Sequence, residues 1–388
     1  MSGKAKYVVL FFVIAALSAG GFYYWCINYN NSEKKAAEWV DSVNGRLEYS
    51  THPLVEKVPS FLQNTVDKWL GKTVTHVELK GEVKNIDLLV NFKNLRSLNL
   101  SYSKVENIQS LKSLKNLEQL LLTSTPVKDF DQLKNLKSLK HLNLSRTDFL
   151  DFSSISSLKN LEYLFLTQTP VTNIEKIEKL PNLRYLYLNE TKITDFSPLK
   201  NLLQLTNLEI SDSSFSSIKI LKNLPALYTA GFSRTNLKSL DGIEQFPSLT
   251  SLYISQTEIS DLTPLQKLTA LTMLVMPETG VKSLMPLKNS TNCTLLDFSR
   301  TEVSDISILK HLTELRQLNM SHTKVRDFSP LKVLSQLNQL DLSKTEISSI
   351  SYLSPLNKLR DLKLKGTHII ESDVRELNKI LPGCIIQF

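Results

Sequence analysis

Cysteine, histidine and glycine are all scarce in this 388-residue sequence. It has three cysteines (Cys26, Cys293 and Cys384), six histidines and eleven glycines. Three cysteines are too few for a disulfide-stapled scaffold, and the histidines lack metal-ligand spacing, so we predict no metal site. The glycines form no phosphate-binding loop. We therefore predict neither a cofactor nor an enzymatic activity.

Charge of one sign is not concentrated in any segment. Lys and Arg number 46 against 38 Asp and Glu, and the resulting net charge of +8 is spread along the chain. We predict no nucleic-acid partner. With 41% hydrophobic and 22% charged residues, the composition is typical of a folded protein rather than a disordered one.

The amino terminus contains one long apolar run. Residues 7–27 are uncharged and follow Lys4 and Lys6, and a helix needs about 20 apolar residues to cross a bilayer. Lysines before the run favour an amino terminus that stays inside. We predict a cytoplasmic tip at 1–6, a transmembrane signal-anchor at 7–27, and export of the rest from a single-pass position in the inner membrane.

A cleaved signal peptide is the alternative for the same segment. Ser18-Ala19-Gly20 resembles a small-residue cleavage site. Cleavage there would give a secreted protein instead of an anchored one. The apolar run continues past this site to Trp25 and is longer than the core of a typical signal peptide. This length favours the anchor.

A repeat of 22 residues occupies most of the chain. Twelve units follow one another without insertion from Leu95 to Lys358, and each opens on the spacing Leu-x-x-Leu-x-Leu or on an apolar variant of it. A shorter unit precedes them and a closing one begins at Leu359. The alternation Leu-x-Leu directs two side chains inward from a short strand. Since no unit can bury its leucines alone, neighbouring units must stack into one continuous core.

This spacing resembles the leucine-rich repeat family, and the short period resembles its bacterial internalin-like type. The resemblance implies an α/β repeat solenoid that is curved, with a parallel sheet on the concave side. Few residues remain for the convex side, so we expect short 3₁₀ turns there. We predict leucine-rich repeats at 74–370, a helical N-terminal cap at 28–73 and a C-terminal cap at 371–388. In the C-terminal cap we expect a closing helix from Glu371 to Leu381, with Ile385, Ile386 and Phe388 packed beneath it.

Two local patterns refine this prediction. Within the cap, the spacing of Ala36, Trp39 and Val40 predicts an amphipathic helix that ends at Gly45, and a second helix is predicted from Ser60 to Leu70. Within the repeats, Asp, Asn or Ser follows each strand, and in three units a Ser-Pro or Thr-Pro pair comes shortly after it. These residue types cap free backbone donors where a turn or helix begins.

The ninth position of each unit departs from the family pattern. The family usually has asparagine there, whereas this sequence has threonine in most units. We expect each hydroxyl to donate a hydrogen bond to a carbonyl of the adjacent coil, which would form a structural ladder. The predicted ladder includes Thr125, Thr147, Thr169, Thr191, Thr235 and Thr257, and it continues through later units.

Aromatic residues cluster on the strand face that points away from the core. The third and fifth positions of two neighbouring units hold Tyr163 and Phe165, then Tyr185 and Tyr187, and Tyr253 occupies a fifth position farther along. Clustered aromatics on a rigid surface are typical of binding hot spots. We predict that these five residues bind a partner. The alternative is that they only stabilise the sheet through cross-strand packing.

A row of lysines occupies one position on the opposite, convex side of the repeats. It could attract an acidic surface, although such rows commonly serve to keep a solenoid soluble. The lysines are Lys112, Lys134, Lys200, Lys222, Lys288, Lys310 and Lys332.

These features together predict a membrane-anchored, exported, monomeric protein that binds another protein through its concave face. Internalin-like relatives use this face for protein partners, so the resemblance implies the same here. One alternative is an envelope scaffold that binds an acidic polymer or lipid surface through its basic outer face. Another is a cytosolic regulator of the phosphatase-regulator type, which would require the amino-terminal helix to face the other way.

Overall fold

The computed structural model describes residues 21–53, 72–222 and 224–388. Residues 7–20 of the predicted transmembrane segment and the second predicted cap helix, Ser60 to Leu70, lie outside the described residues. In the part of the chain that is described, no helix combines the length and apolar character that crossing a membrane requires. The chain divides into two compact units, Met1–Val171 and Thr172–Phe388.

The amino-terminal unit begins with a helix and continues as a sheet. The elements are α1 (Gly21–Ser42), β1 (Arg46–Thr51), β2 (Lys72–Glu78), β3 (Ser97–Asn99), β4 (Gln119–Leu121), β5 (His141–Asn143) and β6 (Tyr163–Phe165). Strand β1 is antiparallel to β2, and the strands from β2 to β6 are parallel. Its 3₁₀ turns are Asp87–Asn91, Gln109–Ser113, Asp131–Asn135 and Phe152–Ser154.

The carboxyl-terminal unit is a parallel sheet that ends with a helix and one further strand. Its strands are β7 (Tyr185–Tyr187), β8 (Asn207–Glu209), β9 (Thr229–Gly231), β10 (Ser251–Tyr253), β11 (Met273–Val275), β12 (Leu295–Asp297), β13 (Gln317–Asn319), β14 (Gln339–Asp341), β15 (Asp361–Lys363) and β16 (Ile385–Gln387), with α2 (Glu371–Ile380) before β16. Its 3₁₀ turns are Glu175–Lys179, Ser197–Asn201, Ile218–Leu221, Ile243–Gln245, Thr263–Lys267, Met285–Asn289, Ser307–His311, Ser329–Val333 and Ile350–Tyr352.

The core of each coil lies between its strand and its turn, as the leucine pattern predicts. The middle residue of each three-residue strand in the repeats is buried, while its neighbours are partly exposed in most of them. Phenylalanines add a second layer that the sequence analysis did not predict. Phe149 packs edge-on against Phe130 at 5.3 Å between ring centroids in the first unit, and Phe196 packs on Phe215 at 5.3 Å in the second.

The predicted cap helix is present, and a strand follows it that the sequence analysis did not predict. Helix α1 buries Ala36 and Val40 but ends at Ser42, and the left-handed residue after it is Asn44 (φ 55°). Gly45 serves close packing, because a Cβ there would lie 2.6 Å from side-chain carbons of Leu79 and Val40. The described part of 28–73 is therefore not wholly helical, since β1 pairs with β2.

The carboxyl-terminal helix matches the prediction, but the residues after it do not. Ile385 and Phe388 were expected to pack beneath α2, whereas they are 69% and 56% exposed. Ile385 lies on β16, which pairs with β15, and the strand directs its side chain outward. The alternation of strand side chains explains this exposure.

Candidate functional site

Within each unit the strands present an open sheet face, which we define as the third and fifth residues of each repeat. These are the first and last residues of each three-residue strand in the repeats, so they flank its buried middle residue, which is leucine in most strands. Their side chains point away from the core because successive strand residues alternate between faces. All five aromatic residues predicted as a binding site lie on this face, and each is half-buried.

In the amino-terminal unit, Tyr163 and Phe165 occupy the two open positions of β6. Tyr163 stacks on His141 of β5, with 4.0 Å between ring centroids and 28° between planes. Burial lowers the pKa of His141, so the imidazole stacks in its neutral form near pH 7. Cross-strand packing therefore accounts for one side of Tyr163.

In the carboxyl-terminal unit, Tyr185 and Tyr187 occupy the open positions of β7. Their partners across the strand pair are Asn207 and Glu209 of β8. Tyr253 lies on β10, three strands along in the same row as Tyr187. The structure therefore places Tyr187 and Tyr253 on either side of two residues that the sequence analysis did not single out, Glu209 and Gly231.

Glu209 and Gly231 form the most unusual part of this face. A Cβ added to Gly231 would come 1.7 Å from the Oε2 atom of Glu209, so the carboxyl group lies directly over the glycine. Burial raises the pKa of Glu209 to about 7. A glycine inside a strand often marks a close approach of another group. Gly231 was the signal in the sequence that could have revealed this arrangement.

The predicted threonine ladder has a different hydrogen-bond pattern from the one expected. Thr125 donates its hydroxyl to the carbonyl of Leu122 at 2.7 Å, and Thr191 donates to Leu188 at 2.8 Å. Both acceptors lie in the same coil, three residues earlier, not in the adjacent coil. Thr147, Thr169, Thr235 and Thr257 repeat this contact.

Backbone amides connect adjacent coils instead. Leu122 donates to the carbonyl of Asn143 at 2.8 Å, and Ser124 donates to Ser145 at 3.0 Å. Ser124 has a left-handed backbone (φ 54°), as does the equivalent residue before the ninth position of later repeats. This conformation turns its N–H toward the next coil, while the threonine hydroxyl closes the turn behind it. The threonines are buried side chains of the core edge.

The opposite side of each coil carries the predicted turns, caps and lysines. Asp195 accepts a hydrogen bond from the Ser197 N–H at 2.8 Å, and Pro198 follows at the start of that 3₁₀ turn. Six of the seven lysines of the predicted row lie within 3₁₀ turns, and Lys222 directly follows one. Lys134 pairs with Asp131 at 3.3 Å, and Lys332 lies 5.3 Å from the ring centroid of Tyr352.

The residue types that could carry chemistry are dispersed or inert. Burial raises the pKa of Cys293 to about 12, and its thiol donates to the Leu295 carbonyl. Cys384 is also unpaired, and burial raises the pKa of its thiol. Within residues 21–53, 72–222 and 224–388, no group of three or more His, Cys, Asp or Glu side chains could hold a metal ion.

Comparisons with known proteins agree with this architecture. A family profile for leucine-rich repeats (two copies) matches residues 159–201. The crystal structure of an internalin, InlF, from Listeria monocytogenes is 27% identical with a TM-score of 0.69, covering 81% of this chain and 86% of its own. A leucine-rich repeat protein from Leptospira interrogans is 20% identical with a TM-score of 0.64, covering 80% and 95%. No curated protein matches the chain in sequence.

A plant peptide hormone receptor, RGFR1, solved in complex with RGF2, also shares the fold. It is 22% identical with a TM-score of 0.58, covering 76% of this chain and 50% of the receptor. The strand period and these matches define the chain as a leucine-rich repeat protein. It is of the bacterial internalin-like type, with units of 22 residues and threonine at the position where the family usually has asparagine.

Proposed function

We propose that this chain is a non-enzymatic, membrane-anchored protein-binding module whose repeats are exported and whose open sheet face contacts the partner. The observation that carries the proposal is the group of half-buried aromatics on the open face of the carboxyl-terminal unit, Tyr185, Tyr187 and Tyr253. Partly exposed tyrosines on a rigid sheet supply contact area at a low cost in side-chain entropy.

Rigid positioning supports this choice of residues. The backbone of β7 pairs in register with β8, and the buried Leu186 and Leu188 fix the strand from below. Tyr185 and Tyr187 therefore contribute little to the core, and their truncation should spare folding. In the amino-terminal unit, Tyr163 and Phe165 hold the same positions of β6 and are proposed as a separate contact.

A paired substitution tests the proposal. We expect Tyr185→Ala combined with Tyr187→Ala to weaken partner binding by about thirtyfold or more, since central aromatic anchors cost at least about 2 kcal/mol on truncation. The partner is captured by crosslinking the full chain in envelope extracts, and its affinity is then measured by titration. Tyr163→Ala with Phe165→Ala tests the amino-terminal contact in the same assay.

The matched control lies on the turn side. Lys310→Gln with Lys332→Gln removes two charges of the lysine row and should leave the affinity unchanged. Loss of binding in this control alone would move the site to the turn side and favour a scaffold that binds an acidic polymer. Normal binding by all the variants would mean that the aromatics serve only cross-strand packing.

A further inference from the structure

Four residues of the carboxyl-terminal unit form a notch in the open sheet face, which we name the Gly231 notch. Tyr187, Glu209, Gly231 and Tyr253 lie in one row on the consecutive strands β7 to β10. Adjacent strands are about 4.8 Å apart, so the two tyrosines border a gap of roughly three strand spacings. Gly231 contributes no side chain to this gap, and the Glu209 carboxyl group lies on its floor.

Among the described residues, no hydrogen bond and no ion pair reaches the oxygens of the Glu209 carboxyl group, and burial alone accounts for its raised pKa. Other acidic residues of the same row differ in this respect. Asp297 accepts hydrogen bonds from Ser299 and Asn319, and Asp341 lies 3.5 Å from the Lys363 ammonium.

The nearby charged groups do not neutralise Glu209 either. On the open face of strands β7 to β10, the titratable side chains other than Glu209 are Tyr185 and Tyr187 on β7 and Tyr253 on β10. Burial raises the pKa of Tyr187 and of Tyr253, and the nearby Glu209 carboxyl group raises both further, so both phenols stay neutral. Arg234, in the turn after β9, is held by both oxygens of Asp212.

We propose that the Gly231 notch binds a lysine or arginine side chain of a protein partner. A desolvated carboxylate is costly to keep unpaired, and a charge-assisted hydrogen bond from a cation removes that cost. The flanking tyrosine rings can pack on the aliphatic stem and attract the charged head through cation–π contacts. This proposal rests on the proposed function, because it assigns a chemistry to the face already proposed to contact a partner.

The test measures the preference of the full chain for cationic side chains. Four sets of immobilised peptides are compared. The peptides of each set have random sequences around one fixed central residue, which is lysine, arginine, norleucine or glutamate. At pH 8 we expect at least about tenfold stronger retention on the lysine and arginine sets than on the norleucine set. The preference should fall as the pH drops below about 7, because the carboxyl group becomes protonated.

Glu209→Gln should abolish this preference, and its pH dependence, without harm to folding, since the amide keeps the shape of the side chain. Asp297→Asn is the matched control in the same row and should retain the full preference. An equal loss of the lysine and arginine preference in both variants would mean that the preference reflects the general charge of the face. A preference that Glu209→Gln preserves would exclude the Gly231 notch as the cation site. Either result overturns the proposal.

The captured partner separates this proposal from the proposed function. One outcome is that the Tyr185→Ala, Tyr187→Ala variant loses the partner while Glu209→Gln binds it normally between pH 6 and 8.5. This outcome would support the protein-binding face and reject the cation site. Binding that is unchanged in both variants would reject both. Loss in both variants, with loss of the lysine and arginine preference in Glu209→Gln, supports both.

Discussion

The threonine hydroxyls at the edge of the core each donate to a carbonyl of their own coil, three residues earlier. In the coil of Thr191, the acceptor is the carbonyl of Leu188 at 2.8 Å, and Thr191 is buried. Replacing the threonine with valine keeps the volume but leaves a buried carbonyl without this donor. An unsatisfied buried group costs more than the net gain from a typical hydrogen bond.

We predict that Thr191→Val lowers the free energy of unfolding by about 1–3 kcal/mol, measured by urea denaturation. Thr191→Ser retains the donor and should recover most of this loss. Lys200→Gln, an exposed substitution on the turn side, should change stability by less than about 0.5 kcal/mol. Indistinguishable unfolding curves for Thr191→Val and Lys200→Gln would contradict the structural role of the threonines.

Glu209 gives a prediction for the dependence of stability on pH. Its pKa of about 7 in the folded chain exceeds the ordinary value of about 4.3. The folded state therefore binds the proton more tightly than the unfolded state. The stability that this group contributes is complete below about pH 4 and is lost as the pH rises through 7.

Glu209→Gln cannot ionise, so it should match the parent chain near pH 4 and exceed it at pH 8 by on the order of 1–3 kcal/mol. Urea unfolding at the two pH values measures the difference. Asp297→Asn should show no such gain, because the Asp297 carboxylate is hydrogen-bonded. An equal gain at both pH values would show that packing, not ionisation, explains the effect of Glu209→Gln.

The sequence predicted which side chains reach the open sheet face but not how they interact. Period-two alternation alone places Tyr185 and Tyr187 outward, and the structure agrees. The direction of a threonine hydroxyl depends on its rotamer and on the left-handed residue before it, which is Glu190 for Thr191 (φ 57°). Glu209 was missed because its environment is created by a glycine 22 positions away in the sequence.

Among the elements, the junction between α1 and β2 depends on one buried carboxylate. Glu33 is 6% exposed and accepts hydrogen bonds from the Thr73 hydroxyl at 2.8 Å and from the Val74 N–H at 2.5 Å. Burial raises the pKa of Glu33, while these donors lower it. The helix thus supplies an acceptor to the strand that begins the parallel sheet.

We predict that Glu33→Ala destabilises the cap by about 1–3 kcal/mol, because the buried Val74 N–H loses its acceptor. Hydrogen exchange at the Val74 amide should accelerate, and the thermal unfolding midpoint should fall. Glu38→Ala is the control on the same helix, since the Glu38 side chain is 65% exposed and its pair with Lys34 spans 4.0 Å. Protection of Val74 that is equal in the two variants would rule out this role for Glu33.

The cap also shows where element prediction from sequence reaches its limit. Helix α1 was predictable because Ala36 and Val40 recur at helical spacing. Strand β1 was not predictable, because Leu47 is half-buried and the other five residues of the strand are exposed. Its conformation is specified by pairing with β2 rather than by its own hydrophobic pattern, and context of this kind commonly overrides local β propensity.

For the whole molecule, the repeat predicts the architecture of the chain but says little about the identity of its partner. The constant period of 22 residues fixes the strands, turns and core of both units, because each coil must match its neighbour. The binding surface follows a different rule, since its residues vary freely from one coil to the next. Only local exceptions to the repeat, such as Gly231 and the paired tyrosines of β7, carry information about a ligand.

We predict that the chain lies across the membrane with its amino terminus inside and its repeats exported. Lys4 and Lys6 precede the apolar run of residues 7–27, so the positive-inside rule orients the amino terminus toward the cytoplasm. A carboxyl-terminal alkaline phosphatase fusion of the full chain should therefore be active and remain with membranes after carbonate washing. Changing both lysines to glutamate should reduce the activity. A shortened, soluble fusion would instead indicate cleavage near Ser18-Ala19-Gly20, and an inactive fusion would place the repeats in the cytosol.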